Sequence, residues 1–406
     1  MATNGNGLKV ALIATQFPNP AETFISARAR TLVELGCEVE VHSVRPEHPR
    51  ASEMARERDL TRIKWTHTQF ATLWRGTLQA LARPVLLARF LSWVVGATLS
   101  NPRHLAKCLT LTPRAFEILG HLERWRPDVV HAEWCHYPAL VVWLAQQRLP
   151  GTVTSIGLIA HDLDTALGCT IAATRAADLV RSSTRENVAQ IVAFTGVAEE
   201  RVEVIYDGVD VEAVDAAVDR SSKEPGAVAV VARLSEEKRI SHAIRAFALV
   251  ATEVPSARLH ILGDGPERNA LVDLVSKLGL SGRVDFLGHV RHDQVLDALA
   301  RTEVLVLLSE TERLPNVVKE GMAARCVCVT TRTNGITEMI EDGVTGFILE
   351  HDQIEEAGRR IVWALRETEA AQRLGAAARL SVGERFDHVK NVERFLAAWT
   401  VARRSR

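Results

Sequence analysis

The 406-residue chain carries 49 Lys and Arg against 50 Asp and Glu, with 47% apolar residues and a net charge of −1. That balance excludes the strong basic excess of a nucleic-acid binder, and the length exceeds what one hydrophobic core ordinarily holds, so two domains are expected. Residues 1–7 are polar and lack the apolar core of a signal peptide, which predicts a cytoplasmic protein.

In chain order, residues 8–14 form a short apolar run, residues 24–35 carry helix-spaced apolar side chains that stop at Gly36, and residues 39–44 read as the next strand. This β-α-β alternation predicts a parallel sheet with helices on both faces. Glu22 and Thr23 lie between the first strand and the first helix, at the carboxyl end of a strand, where open α/β sheets bind ligands. Helix capping is the competing reading for both residues. Residues 70–116 are rich in Leu, Val and Trp and are broken by Arg75, Arg83, Arg89, Arg103 and Lys107. Their longest uncharged piece, residues 90–102, is shorter than the ~20 apolar residues a membrane span needs. Two readings stay open there: helices buried in the first domain, or a basic and aromatic surface resting on the membrane's inner face.

Further strands are expected near residues 128–131, 153–160 and 201–206, and Asp207-Gly208 is a strong turn signal. The alternation restarts at residue 227, with strands over 228–232, 259–262, 284–287, 304–308, 327–330 and 347–349 separated by helical patterns. Residues 354–406 read as helical throughout. The division is therefore a first domain over 1–212, a linker over 213–226, a second domain over 227–385, and a terminal helix over 386–406 able to pack back on the first domain. The fold class is α/β, with two Rossmann-like parallel-sheet domains facing a cleft and a helical C-terminal tail. The six cysteines are scattered; Cys326 and Cys328 share one strand face, and no second Cys or His pair completes a zinc pattern. Buried, reduced thiols are expected, and no metal.

Chemistry concentrates in the second domain. Arg233 and Lys238 follow its first strand, five residues apart in a loop entering a helix. A fork-shaped guanidinium and a point-charge ammonium suit a diphosphate. Gly263-Asp264-Gly265-Pro266 does not complete the G-x-G-x-x-G dinucleotide pattern, which disfavours NAD chemistry and leaves a tight turn that brings backbone close to a nucleotide. Glu312 and Glu320 flank Pro315, Asn316 and Val317, where a strand gives way to a helix. The helix end is a seat for phosphate, and carboxylates beside it accept hydrogen bonds from sugar or ribose hydroxyls. Donors for phosphate and acceptors for hydroxyls together describe a nucleotide sugar.

These motifs resemble glycosyltransferase family 4, a retaining group with the GT-B fold. The E-x7-E pattern falls on Glu312 and Glu320, R-L-x-x-x-K on Arg233 and Lys238, and G-D-G-P-E on residues 263–267. Supporting similarity lies at residues 284–288, 334–338, 342–346 and 207–210, and residues 18–25 resemble the exopolysaccharide or colanic-acid branch. The resemblance implies that Arg233 and Lys238 bind the donor diphosphate with Gly263, Asn316 and Val317 beside it. It further implies that Glu320 holds the ribose and that Glu312 contacts the transferred sugar. His161 and Asp164 match an H-x-x-D element near the reacting sugar, with Glu22, Thr23 and Asp164 on the acceptor side. No cofactor is implied beyond the nucleotide diphosphate sugar, which serves as substrate; the acceptor is a carbohydrate, a glycolipid or a small molecule.

The chain departs from the family pattern at Arg313 and Arg239, where Gly is usual, at Gly321 and Arg325, which replace Ala and Gly, and at Asp207, which replaces Asn. The expected activity is transfer of a hexose to an acceptor hydroxyl with retention, in polysaccharide or glycolipid biosynthesis. An impaired GT-B nucleotide-binding protein, a nucleotide-sugar epimerase and a phosphorylase are the alternatives.

Overall fold

A computed structural model describes residues 7–20, 22–159, 162 and 167–405. The chain divides into two compact units, Met1–Asp207 together with Val389–Arg406, and Gly208–His388.

In the first unit the strands are β1 (Lys9–Ala14), β2 (Glu38–Ser43), β3 (Lys64–Thr66), β4 (Val129–Glu133), β5 (Val153–Leu158), β6 (Leu179–Ser182) and β7 (Val202–Val204). They form one all-parallel sheet in the order β3-β2-β1-β4-β5-β6-β7. The helices are α1 (Thr23–Glu34), α2 (Ala51–Glu57), α3 (Phe70–Leu81), α4 (Pro84–Thr98), α5 (Pro102–Trp125), α6 (Pro138–Arg148), α7 (Gly168–Arg175) and α8 (Glu186–Thr195). Strand β3 and helix α2 are additions to the sequence expectation, too short to show a period. Central strands β1, β4 and β5 are buried along nearly their whole length, which is why β1 reads as an apolar run after Lys9 rather than an alternating one, while β4 and β5 also bury His131, Glu133, Thr154 and Ser155.

Successive side chains of β1 enter two different cores. Ala11 and Ile13 pack with Phe90, Val94 and Phe116 from α4 and α5. Val10, Leu12 and Ala14 pack on the other face with Ile25 and Leu32 of α1. That second face is completed by the last helix, α17 (His388–Arg404), whose Val392, Phe395, Leu396 and Trp399 join it. Arg28 of α1 lies 4.3 Å over the Phe395 ring, pairs with Glu133, and reaches Asp207 at 2.7 Å. Asp207, the residue that replaces the usual Asn, also pairs with Arg181 at 2.9 Å, so its charge answers two buried guanidinium groups.

Helices α3 to α5 divide the apolar side chains of residues 70–116 between core and surface. Leu86, Phe90, Val94 and Phe116 are in the core, while Phe70, Trp74, Leu78, Leu81, Val85 and Leu99 are exposed. Among the described residues no single helix is long and apolar enough to cross a membrane; α3 and α4 meet the criteria only together, and they are bent by 106°.

The second unit repeats the plan. Strands β8 (Ala227–Val231), β9 (Arg258–Leu262), β10 (Val284–Gly288), β11 (Val304–Leu307), β12 (Val327–Thr331) and β13 (Phe347–Leu349) form an all-parallel sheet ordered β10-β9-β8-β11-β12-β13. Around it lie α9 (Val211–Asp219), α10 (Ile240–Glu253), α11 (Arg268–Lys277), α12 (His292–Arg301), α13 (Asn316–Ala323), α14 (Ile336–Met339), α15 (Ile354–Arg366) and α16 (Thr368–Arg385). Helix α9 occupies the first half of the stretch read as a linker, with Asp210 capping it by accepting from the Ala213 N–H at 2.9 Å. Both sheets follow the doubly wound order, running outward from β1 and β8 and reversing beyond them. In each, the reversal falls between the first and fourth strands of its unit, and such switch points are where open α/β sheets bind ligands.

Candidate functional site

At the second unit's switch point, loops leave the carboxyl ends of β8 and β11 side by side. The loop after β8 places Arg233 in solvent and Lys238 half-buried, and the loop after β11 brings Glu312 to it. Lys238 Nζ donates to Glu312 Oε1 at 2.7 Å, and Ser309 Oγ donates to the same oxygen at 2.9 Å. Seventy-four positions separate the two charges in the chain. Their side chains remain 23% and 13% exposed, enough contact with solvent for an incoming anion to compete for the ammonium.

The loop after β9 is laced to the loop after β8. Leu234 N–H donates to Asp264 O at 3.0 Å, and Glu267 N–H to Leu234 O at 3.1 Å. This approach explains both glycines: a Cβ on Gly263 would lie 1.9 Å from Ala232 O, and one on Gly265 would lie 2.3 Å from Leu234 O. Gly263 also has φ +134°, a conformation that L side chains rarely adopt.

Helix α13 follows Pro315 and starts at Asn316, so the N–H groups of Asn316 and Val317 have no acceptor within the helix and face its N-terminal end. Lys319 is buried and donates to Asn316 Oδ1 at 3.0 Å. Glu320, the fifth residue of the helix, is buried, and burial raises its carboxyl above the ordinary range against the opposing pull of His292 and Lys319. His292 Nε2 lies 3.8 Å from Glu320 Oε1, a neighbour that the motif reading did not single out because α12 carries no recognisable signature.

Two family departures keep a glycine's backbone without a glycine. Arg239 has φ 46° and Arg325 has φ 60°, both in the left-handed region where Gly is the usual occupant. Arg239 gains an ion pair with Glu310 at 3.1 Å. Gly321 stands where a Cβ would meet Leu305 Cδ2 at 2.4 Å, which accounts for the loss of the usual Ala. Nothing in the structure explains Arg313.

The first unit's switch point has a different character. Glu22 immediately precedes α1 and is buried; burial pushes its carboxyl up to about 7, with Arg45 pulling the other way. Asn19 Nδ2 donates to Glu22 Oε1 at 3.2 Å, while Oε2 is buried without a hydrogen-bond partner among the described residues. Thr23 opens the helix and is exposed. Neither side chain caps α1 through a hydrogen bond, which removes the competing reading of Glu22. His161 and Asp164 lie outside the described residues. Asp162 between them is buried, with its carboxyl pushed up to about 7 by burial, and its Oδ1 is 3.1 Å from His136 Nε2. Phe24 stacks on Trp134, with ring centroids 5.8 Å apart, and Trp134 has φ 52° just past the end of β4. His136 and Trp134 escaped the sequence reading because neither belongs to a motif; strand-end position was the one signal able to find them.

Residues 215–381 match the family model described as glycosyl transferases group 1. The chain is 35% identical over 165 residues to N-acetyl-alpha-D-glucosaminyl L-malate synthase of Bacillus anthracis, a match spanning 41% of this chain and 42% of that enzyme. It is 29% identical over 281 residues to glycogen synthase of Mycobacterium tuberculosis, spanning 66% of this chain and 67% of the relative. Among solved structures, Anabaena HepE in complex with UDP superposes with a TM-score of 0.73 at 16% identity, covering 97% of this chain and all (100%) of that one. The apo form of the lipopolysaccharide outer core galactosyltransferase WaaB superposes with a TM-score of 0.64 at 17% identity, covering 97% and 99%.

Proposed function

We propose that this chain, which belongs to the glycosyl transferases group 1 (glycosyltransferase family 4), is a retaining hexosyltransferase that moves a sugar from a nucleotide diphosphate to an acceptor hydroxyl. The observation that carries the reading is the 2.7 Å pairing of Lys238 with Glu312 across the β8/β11 switch point. It juxtaposes a cation fit for a diphosphate with a carboxylate fit for a sugar hydroxyl. In the reaction, Arg233 and Lys238 neutralise the leaving diphosphate together with the α13 N-terminus at Asn316 and Val317, the electrostatic contribution that is usually largest. The turn at Gly263 brings backbone to the nucleotide, Glu320 accepts from ribose hydroxyls, and Glu312 turns from Lys238 to the transferred hexose. On the acceptor side stand Glu22 and Thr23, with His161 and Asp164 assigned by motif. Uridine diphosphate is the favoured carrier, since HepE is solved with UDP. Polysaccharide or glycolipid synthesis is the favoured setting.

A panel of nucleotide sugars scored by thermal shift tests this. A cognate donor at a hundredfold excess over its Kd adds about 2.7 kcal/mol to the folded state. No shift from any member of the panel, and no sugar released or transferred, overturns the reading. Conversion of a donor without acceptor moves it to an epimerase, and dependence on free phosphate moves it to a phosphorylase.

The exposed row Phe70, Trp74, Leu78 and Leu81 along α3, with Arg75, Arg89, Arg103 and Lys107 exposed nearby, supports work at an anionic membrane surface. Trp74→Glu is expected to abolish co-sedimentation with anionic liposomes at low salt; wild-type protein that ignores such liposomes ends this part of the reading.

A further inference from the structure

His104 and Cys108 stand one turn apart on the same face of α5, and Cys169, the second residue of α7, meets them inside the first unit. One imidazole nitrogen and the two sulfurs lie within 4.8 Å of one another, and all three residues are buried. Cys108 Sγ is 3.5 Å from His104 Nε2. A tetrahedral zinc ion with bonds of about 2.3 Å to sulfur and about 2.0 Å to nitrogen holds its sulfur and nitrogen ligands roughly 3.5 Å apart. The spacing is therefore that of two ligands of one ion. Neither sequence proximity nor a Cys-x-x-Cys signature announces the cluster, since Cys108 and Cys169 come from different helices.

We propose that His104, Cys108 and Cys169 form a binding site for a thiophilic divalent ion, zinc, that clamps α7 to α5. Two thiolates and an imidazole are soft donors that disfavour magnesium and calcium. As the two sulfur–zinc bonds form, each thiol releases its proton to solvent, and the two thiolate charges balance the ion within the apolar core. Cys135 sits in the same apolar cluster, and its carbonyl accepts from Thr170 Oγ1, next to Cys169, at 2.6 Å, but its sulfur is not among the atoms that converge.

The test uses the full chain. Protein incubated with zinc chloride and a non-chelating reductant is desalted and analysed for metal, and cobalt replaces zinc in a parallel sample for its thiolate charge-transfer absorption. The expected result is about one zinc per chain, a cobalt spectrum with thiolate character, and a lower Tm after chelation. Cys108→Ser, Cys169→Ser and His104→Ala each cut retained zinc by about tenfold or more. His121→Ala, in the separate Glu40, His42 and His121 cluster, leaves retention unchanged. If the variants do not fold, the wild-type cobalt spectrum and chelation shift decide alone. Under about 0.1 zinc per chain with no charge-transfer band, against the near-stoichiometric binding of a closed thiolate site, overturns the proposal. So does retention that follows His121 instead. Two fewer free thiols than the six cysteines, in protein denatured without reductant, overturns it in favour of a Cys108–Cys169 disulfide.

Discussion

The two switch points of this molecule share a topology and differ in how they treat charge. At β8/β11 oppositely charged side chains on the strand-end loops pair with each other: Lys238 with Glu312, and Arg239 with Glu310. At β1/β4 the carboxyls of Glu22 and Asp162 are buried and pushed up to about 7. The first arrangement suits exchange of one ionic partner for another, as a diphosphate demands. The second holds protons that leave near neutral pH, as the proposed acceptor-side role would require. One doubly wound plan thus yields an electrostatic site and a protonic one, depending on whether the loop charges face solvent or core.

The comparison breaks first at Arg233. Arg233→Ala is expected to lower turnover by about a hundredfold or more, equivalent to about 3 kcal/mol of transition-state stabilisation. Steady-state kinetics with the cognate donor checks it, and unchanged turnover removes Arg233 from the mechanism. The protonic side is next. Glu22→Gln should reduce kcat/KM for the acceptor by about tenfold, the size of a lost hydrogen bond to a charged group. It should also flatten the pH–rate profile near neutrality while leaving donor binding intact; loss of donor binding instead would place Glu22 elsewhere.

Stability gives the same contrast a sign. Glu22 titrates at about 7 when folded against an ordinary 4.5, so between those values the native state holds the extra proton and stability falls as pH rises. Glu22→Gln should therefore unfold at a higher temperature than wild type at pH 8 and show no advantage at pH 4; an equal Tm at pH 8 contradicts the burial argument.

Two smaller effects sharpen the electrostatic side. Gly263→Ala forces a Cβ into the Ala232 carbonyl at 1.9 Å and should cost roughly 1–3 kcal/mol, read in urea, along with nucleotide affinity. Arg239→Gly exchanges roughly 1–2 kcal/mol of left-handed strain for an exposed ion pair of at most about 1 kcal/mol. A slight net stabilisation is expected, and a loss above about 1 kcal/mol would mean that the Arg239–Glu310 pair matters more than exposed pairs generally do.

The candidate sites were unevenly legible in the sequence. Those of the second unit stand in contiguous motifs at strand ends, because a phosphate site is made by loop backbone and flanking charges that are neighbours in the chain. Glu22 could be located but not characterised, since nothing local distinguishes a buried carboxyl from a helix cap. His136, Trp134 and the His104, Cys108 and Cys169 cluster gave no local signal; each acquires its meaning from a residue on another element. Helix α3 shows the same divide, with its apolar content plain and the exposed side of that content hidden until α5 covers the other face.

By itself the sequence determined two α/β units, the positions of nearly all their strands, and a nucleotide-sugar motif set. It could do so because strands buried on both faces must be apolar throughout and helices beside them must repeat every 3.6 residues. Tertiary structure alone decided that Lys238 meets Glu312 across 74 positions, which side chains of α17 enter the core of the first unit, that Glu22 loses its ordinary acidity, and that His104, Cys108 and Cys169 converge from α5 and α7. Those outcomes depend on distance and desolvation between segments remote in the chain, and neither quantity leaves a period in the sequence.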